Sequence, residues 1–191
     1  TLFVRNVAAT NGSALYLGSS GTVALLHTTI ASPTVGAGAA IYVNAGTVGI
    51  TNTIIANYAV GISNTGGIVY QDYNLLFNAP SAGTVDGGSY SLTGNPAFRD
   101  PANDDYDLTA SSAAIDYGTN VGVTTDLDGN PRPIGNGYDI GAYEAMPNLV
   151  ITKVASPEPA VAGTSLTYTI SIVNSGYPTT ALGLVLSDTL S

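Results

Sequence analysis

An internal repeat limits this chain more than any other feature: one strand–turn–strand unit is written three times between Ala14 and Asn78. The first copy reads ALYL, a short gap and GTVALLHTTIA, ending at Ala31; the second reads AIYV, a short gap and GTVGITNTIIA, ending at Ala56. Tyr16 maps onto Tyr42, 26 residues on. From Gly21 the step is 25, placing Thr22 on Thr47, Val23 on Val48, Leu25 on Ile50, His27 on Asn52 and Ile30 on Ile55. The looser third copy, GGIVYQDYNLLFN, sets Gly67, Val69, Tyr73, Leu76 and Asn78 under Gly46, Val48, Asn52, Ile55 and Asn57 at a step of 21. A unit this short cannot bury its apolar face alone, so the copies must stack, and a period of about 20–25 residues is that of a solenoid.

The residue types select the kind of solenoid. Val23, Leu25 and His27 alternate with Ala24, Leu26 and Thr28, and Val48, Ile50 and Asn52 alternate with Gly49, Thr51 and Thr53. A period of two means strands, and Gly and Thr are too frequent for long helices. The fixed Leu and Asn positions of leucine-rich repeats are absent. An all-β fold, a right-handed parallel β-helix with one rung per turn of chain, fits best; a flat β-sandwich is the alternative. Residues 1–95 thus resemble the parallel β-helix repeat family. Thr1–Val7 (TLFVRNV) reads as the tail of an earlier rung, and residues 79–95, with strand candidates at Thr84-Val85 and Tyr90–Leu92, as one more irregular rung.

Charge narrows the function classes. Four Lys+Arg stand against 13 Asp+Glu, a net charge of −9, which opposes binding to nucleic acid phosphates or to an anionic membrane surface. No apolar run of 18 residues exists, so no membrane span is expected. Charged residues are only 9% and Cys is absent, a pattern that suits an extracellular protein covered by Thr, Ser, Asn and Gly. The chain does not begin with Met, so it is expected to be a processed product or a fragment. Asn11-Gly12-Ser13 is the single N-x-S/T sequon, which makes Asn11 a candidate glycosylation site; a plain turn residue is the alternative reading.

Nine of the thirteen acidic residues fall between Asp100 and Glu144. There NPAFRDPANDDYDLTASSAAIDYG (95–118) and TDLDGNPRPIGNGYDIGAYE (125–144) follow a recognisable order. An aromatic, Phe98, comes after Asn-Pro; then Asp100-Pro101-Ala102-Asn103, Tyr106 and Leu108, Ala114-Ile115-Asp116 with Gly118, Asp126 with Gly129, Pro131-Arg132, and Asp139-Ile140-Gly141-Ala142-Tyr143-Glu144. These residues resemble the C-terminal part of bacterial surface proteins with a choice-of-anchor Q domain. Ser112-Ala113 departs from the usual Ser-Pro and affects only a turn. The resemblance implies a protein of the bacterial cell surface whose β-helix is closed by this segment, and implies no reaction or cofactor.

Physically, Arg132 is one of four cations set among carboxylates, and it is expected to pair with Asp116, Asp126 or Asp139 and so pin a cap onto the last rung. Ile140, Ala142 and Tyr143 would cover the open apolar end. Calcium is the alternative use of Asp126-x-Asp128-Gly-Asn130 and Asn103-Asp104-Asp105-x-Asp107. An EF-hand loop counted from Asp126, however, needs a Glu where Gly137 stands. The expectation is no metal.

Catalysis would need other residues. A polysaccharide lyase needs a base and cations for uronates, yet Arg5, Arg99, Arg132 and Lys153 are scattered. A hydrolase needs paired carboxylates, yet Ala14–Ile68 contains neither Asp nor Glu, and Asp72 is the first. His27, the single His, reads as a stand-in for an Asn in a stacked ladder over Asn52 rather than as a base. The expectation is a structural or adhesive surface protein, not an enzyme; the alternative is a carbohydrate-active β-helix enzyme with a site near Asp72–Asp107.

After Met146 the pattern changes. Leu149, Ile151 and Lys153 alternate with Val150, Thr152 and Val154; Leu166, Tyr168, Ile170 and Ile172 alternate with Thr167, Thr169, Ser171 and Val173; Leu184-Val185-Leu186 starts another strand. Thr152-Lys153, Pro157, Gly163, Tyr168-Thr169-Ile170, Val173-Asn174-Ser175-Gly176 and Ser187-Asp188-Thr189-Leu190 resemble the first half of the Ig-like surface repeat known as domain of unknown function 11. The expected domains are therefore 1–146, a β-helix with cap, and 147–191, an incomplete Ig-like sandwich. Leu2, Phe3 and Val4 at one end and Leu184 and Leu186 at the other are candidate interface residues, through which copies of the chain would assemble head to tail by strand complementation. The alternative partners are neighbouring domains of a longer surface protein.

Overall fold

The computed structural model describes residues 1–8, 11–177 and 184–188. The chain divides into two compact units, Thr1–Ala145 and Met146–Ser191.

The first unit is a β-solenoid of about three turns. Its strands in order are β1 (Leu2–Val4), β2 (Leu15–Leu17), β3 (Thr22–Leu26), β4 (Thr29–Val43), β5 (Thr47–Thr51), β6 (Ile54–Asn64), β7 (Ile68–Asp72), β8 (Leu75–Phe77), β9 (Asp86–Gly87) and β10 (Leu92–Thr93). All of their pairings are parallel. One sheet runs β1-β4-β6-β8-β10 with β2 also on β4, and a second runs β3-β5-β7-β9. The register is the one the repeat dictates. Tyr16 lies on Tyr42, Val23 on Val48, Leu25 on Ile50 and Ile30 on Ile55, and in the next rung Val48 lies on Val69 and Ile55 on Leu76. β4 and β6 are long because each bends through two faces without an intervening turn, with register shifts between Ala31 and Ala39 where β4 turns.

The inward side chains form one core, with Ile30, Ile41, Val43, Val48, Ile50, Ile55, Tyr58, Ile62 and Val69 buried together. Each buried aliphatic side chain contributes about 1.5–3 kcal/mol. The corners are set by left-handed residues at equivalent rung positions. His27, Asn52 and Tyr73 have φ of 43°, 53° and 55°, and Asn57 and Asn78 have 62° and 49°. Asn tolerates this conformation because its short side chain bonds locally: Asn57 Nδ2 donates to Ser32 O, and Asn78 Nδ2 donates to Asn57 Oδ1.

From Asn95 the chain makes a short antiparallel hairpin, β11 (Phe98–Asp100) and β12 (Asp105–Leu108), followed by a long segment without strands to Ala145. This segment corrects the expected position of the cap. Ile140 and Ala142 are buried, but not over the open end of the last rung. The Ala142 N–H donates to Thr29 Oγ1 and the Gly141 N–H to Asn52 O, contacts with the first and second full rungs. Gly94 abuts Leu75 of the third rung, and Arg5, beside β1, pairs with Asp104 of the hairpin. The segment is therefore a lateral strap that runs back along the rungs. It goes there because the corner residues Thr29 and Asn52 offer polar partners that main-chain groups of a strandless segment must find when buried.

The second unit contains one antiparallel ribbon, β13 (Leu149–Ser156) paired with β14 (Thr167–Asn174), Leu149 opposite Asn174 and Ser156 opposite Thr167. The sandwich expected here is not formed by the described residues. Leu184, Val185 and Leu186 are exposed and not in a strand, while Thr189 and Leu190 lie outside the described residues. The N-terminal residues differ from expectation too. Leu2, Phe3 and Val4 pair with Thr29, Ile30 and Ala31 of their own chain, and Phe3 packs on the core, so they are already one edge of the solenoid.

Candidate functional site

Carboxylates organise the strap. Asp126 Oδ1 accepts the N–H groups of Asp128 and Asn130, and its Oδ2 accepts Asn130 Nδ2 and the Glu144 N–H. Asp116 Oδ1 accepts the N–H groups of Asn136 and Gly137, and Asp139 accepts those of Asp116 and Ala145, one on each oxygen. Arg132 lies in the centre, buried, and the carboxylate it meets is Glu144, not Asp116, Asp126 or Asp139. It also donates to the carbonyls of Gly141, at 2.8 Å, and Asp139, at 3.3 Å. Glu144 additionally accepts the N–H groups of Ile134 and Asp139. Only donors face Glu144, the surroundings of an ionised carboxylate, although burial pushes its pKa up. Burial also pushes Asp139 up, to about 7, against the pull of its two N–H donors. The three Asp were singled out by their place in an acidic segment; Glu144 was missed because a partner twelve residues away along an irregular segment leaves no periodic signal.

The solenoid side of this contact is the corner at His27 and Asn52. The Thr119 N–H donates to Asn52 Oδ1, which fixes the amide; Nδ2 then donates to Thr119 O and, at 2.8 Å, to His27 Nε2. Nε2 is therefore the acceptor nitrogen and the proton of a neutral His27 sits on Nδ1. Burial lowers the His27 pKa to about 4, helped by the nearby Arg132 cation. His27 does continue the Asn column, and both residues serve as a docking post for the strap.

The remaining cations are also spent on ion pairs: Arg5 with Asp104, Arg99 with Asp105 and Asp107, and Lys153 with both oxygens of Asp188. The two segments considered for calcium come near each other at Tyr143, whose pKa is raised by burial and then by Asp128, Asp107, Asp126 and Asp105. Among the described residues no group of three His, Cys, Asp or Glu is arranged to hold a metal.

A shallow groove of about 280 Å³ lies on the sheet β3-β5-β7-β9, lined by Gly49, Thr51, Tyr70, Asp72, Asp86 and Gly88 among others. Asp72, the first acidic residue of the repeat region, is here, but Asp107 is not among the lining residues. Asn11 is exposed in a polar loop. In comparisons with known proteins, no family model matches this chain, and no curated protein or solved structure matches it.

Proposed function

We propose that this chain is a non-catalytic structural and adhesive module of a bacterial cell surface, built on a right-handed parallel β-helix. The observation that supports this best is the use of its cations: each of the four is paired with a carboxylate of the chain, and none stands free beside Asp72 or Asp86 as a uronate clamp. The strap adds support, because its charges hold the rungs rather than line a cleft. The right-handed sense follows from the general rule for parallel strand crossovers. Extracellular placement, glycosylation at Asn11 and the likeness to choice-of-anchor Q proteins belong to the same reading.

Assembly with further copies or neighbouring modules is part of the proposal. The ribbon exposes Ile151, Val154, Ile172 and Val173, and a two-stranded ribbon has two open edges that invite pairing. The N-terminal segment would contribute the open edge of β1 rather than a free strand. Electron microscopy of the intact chain and of a Thr1–Val7 deletion tests this; filaments that persist after the deletion, or a monomer by light scattering, exclude the N-terminal strand from assembly.

Incubation with acidic and neutral polysaccharides tests the absence of catalysis. Product formation that Asp72→Asn abolishes would replace this reading by a carbohydrate-active enzyme.

A further inference from the structure

The outer face of the sheet β3-β5-β7-β9 carries a column of residues in register: Ala24, Gly49, Tyr70 and Asp86. The first two are small, and a Cβ at Gly49 would meet nothing within 4 Å, so the sheet surface there is bare. The next rung places Tyr70 beside this shelf with half of its surface exposed, and the following rung places the exposed Asp86 beyond it. With rungs about 4.8 Å apart, shelf, aromatic ring and carboxyl group follow one another across the groove.

The adjoining column is Thr51, Asp72 and Gly88, and here the groove is built rather than incidental. Asp72 Oδ1 accepts the N–H groups of Tyr73 and Tyr90, both at 2.9 Å, so the carboxyl group is held in one orientation while Oδ2 accepts no bond from the described residues. A Cβ at Gly88 would lie 2.0 Å from the Asp72 carboxyl carbon, so only glycine admits this carboxyl group. Behind it the rings of Tyr73 and Tyr90 stack at 4.8 Å and 14°.

From this arrangement we infer that the groove over Gly49 and Tyr70 binds a sugar ring of a neutral polysaccharide, with Tyr70 as the stacking platform and Asp72 and Asp86 as acceptors for its hydroxyls. A pyranose has an apolar C–H face and a rim of hydroxyl donors. The negative face of an aromatic ring attracts the first, and fixed carboxyl oxygens match the second. A net charge of −9 and two carboxyl groups in the groove oppose uronates, phosphates and sulfated sugars. An apolar ligand would leave both carboxyl groups without partners. One stacked ring and a few hydrogen bonds in a shallow site suit a Kd on the order of 1 mM, enough for adhesion only through many copies. The inference rests on the non-catalytic adhesive reading, and names what would be adhered to.

Titration of the full 191-residue chain with cellopentaose, N-acetylchitopentaose and oligogalacturonate, followed by NMR, tests it. At least one neutral oligosaccharide is expected to bind in the millimolar range and oligogalacturonate is not. Tyr70→Ala should weaken binding about tenfold, the scale of one aromatic contact. Gly49→Val, which adds a β-branched residue into open space on a strand, should leave the fold intact and block the shelf. No binding of either neutral oligosaccharide at millimolar concentration, or equal binding by parent, Tyr70→Ala and Gly49→Val, overturns the inference. If binding follows the expected pattern but the sugar is also cleaved, the groove stands and the non-catalytic reading falls; if neither binding nor cleavage is seen, the groove falls and that reading stands.

Discussion

Arg132→Met keeps most of the side-chain volume while removing one charge and its hydrogen bonds to Glu144, Gly141 O and Asp139 O. Glu144, whose side chain is fully buried, keeps the N–H donors of Ile134 and Asp139 but loses its counter-charge. Breaking a buried pair from one side costs about 3–5 kcal/mol, and two buried carbonyls lose a donor at about 1–3 kcal/mol each. The retained N–H donors and slight relaxation offset part of this, so a net loss of about 4 kcal/mol is expected, against about 5–15 kcal/mol for a whole domain. The assay is urea unfolding at pH 7 followed by far-UV circular dichroism, since the chain has no Trp. With a slope of about 2 kcal/mol/M, the midpoint should fall by about 2 M. Acidification gives an independent arm. A protonated Glu144 needs no counter-charge, so the deficit of Arg132→Met relative to the parent should narrow as pH falls through the raised Glu144 pKa. A loss below about 1 kcal/mol, the value of an exposed pair, would refute the reasoning, as would a deficit that does not change with pH.

His27 and Asp139 should pull stability in opposite directions with pH. The folded His27 titrates near 4, below its ordinary 6.5, so the unfolded chain takes the proton first and acidification through that window destabilises; His27→Asn should remove this component, read as the difference in melting temperature between parent and variant at pH 7 and pH 4. The folded Asp139 titrates near 7, above its ordinary 3.8, so its contribution is present below that lower value and lost as pH rises through 7; Asp139→Asn should remove it, shifting the same difference the other way. Gly83→Ala should cost more than 1 kcal/mol, because its φ is 82° and a Cβ would sit 1.9 Å from Asn64 O, whereas Gly49→Ala should be neutral or stabilising; equal urea midpoints for the two would contradict this. A chelator should leave the melting temperature unchanged, and a fall of several degrees would promote Asp126, Asp128 and Asn130 to metal ligands.

The solenoid was legible because its information is periodic. A step of 25 and then 21 residues sets every strand register, and the Asn and Gly at rung corners mark where the backbone turns left-handed. The strap was legible as a segment and as a store of buried charge, but not in its destination. Its decisive contacts, Ala142 to Thr29 and Thr119 to Asn52, join residues 113 and 67 apart with no repeat to announce them. Arg132 likewise chose Glu144 because the irregular path of 132–144 folds back on itself, a result of local turns and not of spacing. The groove was half visible. Asp72 stood out by charge, while Gly49 read only as a weak strand residue until Tyr70 was found beside it.

Stacked repeats ordinarily fold and fray one at a time, each needing only its neighbour. The strap changes that rule for this chain. Because residues near position 142 hold the corner at Thr29, the earliest part of the chain to be synthesised cannot be completed until nearly the last part of the unit has emerged. Folding then closes a large loop, which slows it. In return the rungs lose their freedom to open singly: peeling any one of them from the strap disturbs the others, so the array melts as one cooperative body and resists fraying from its ends.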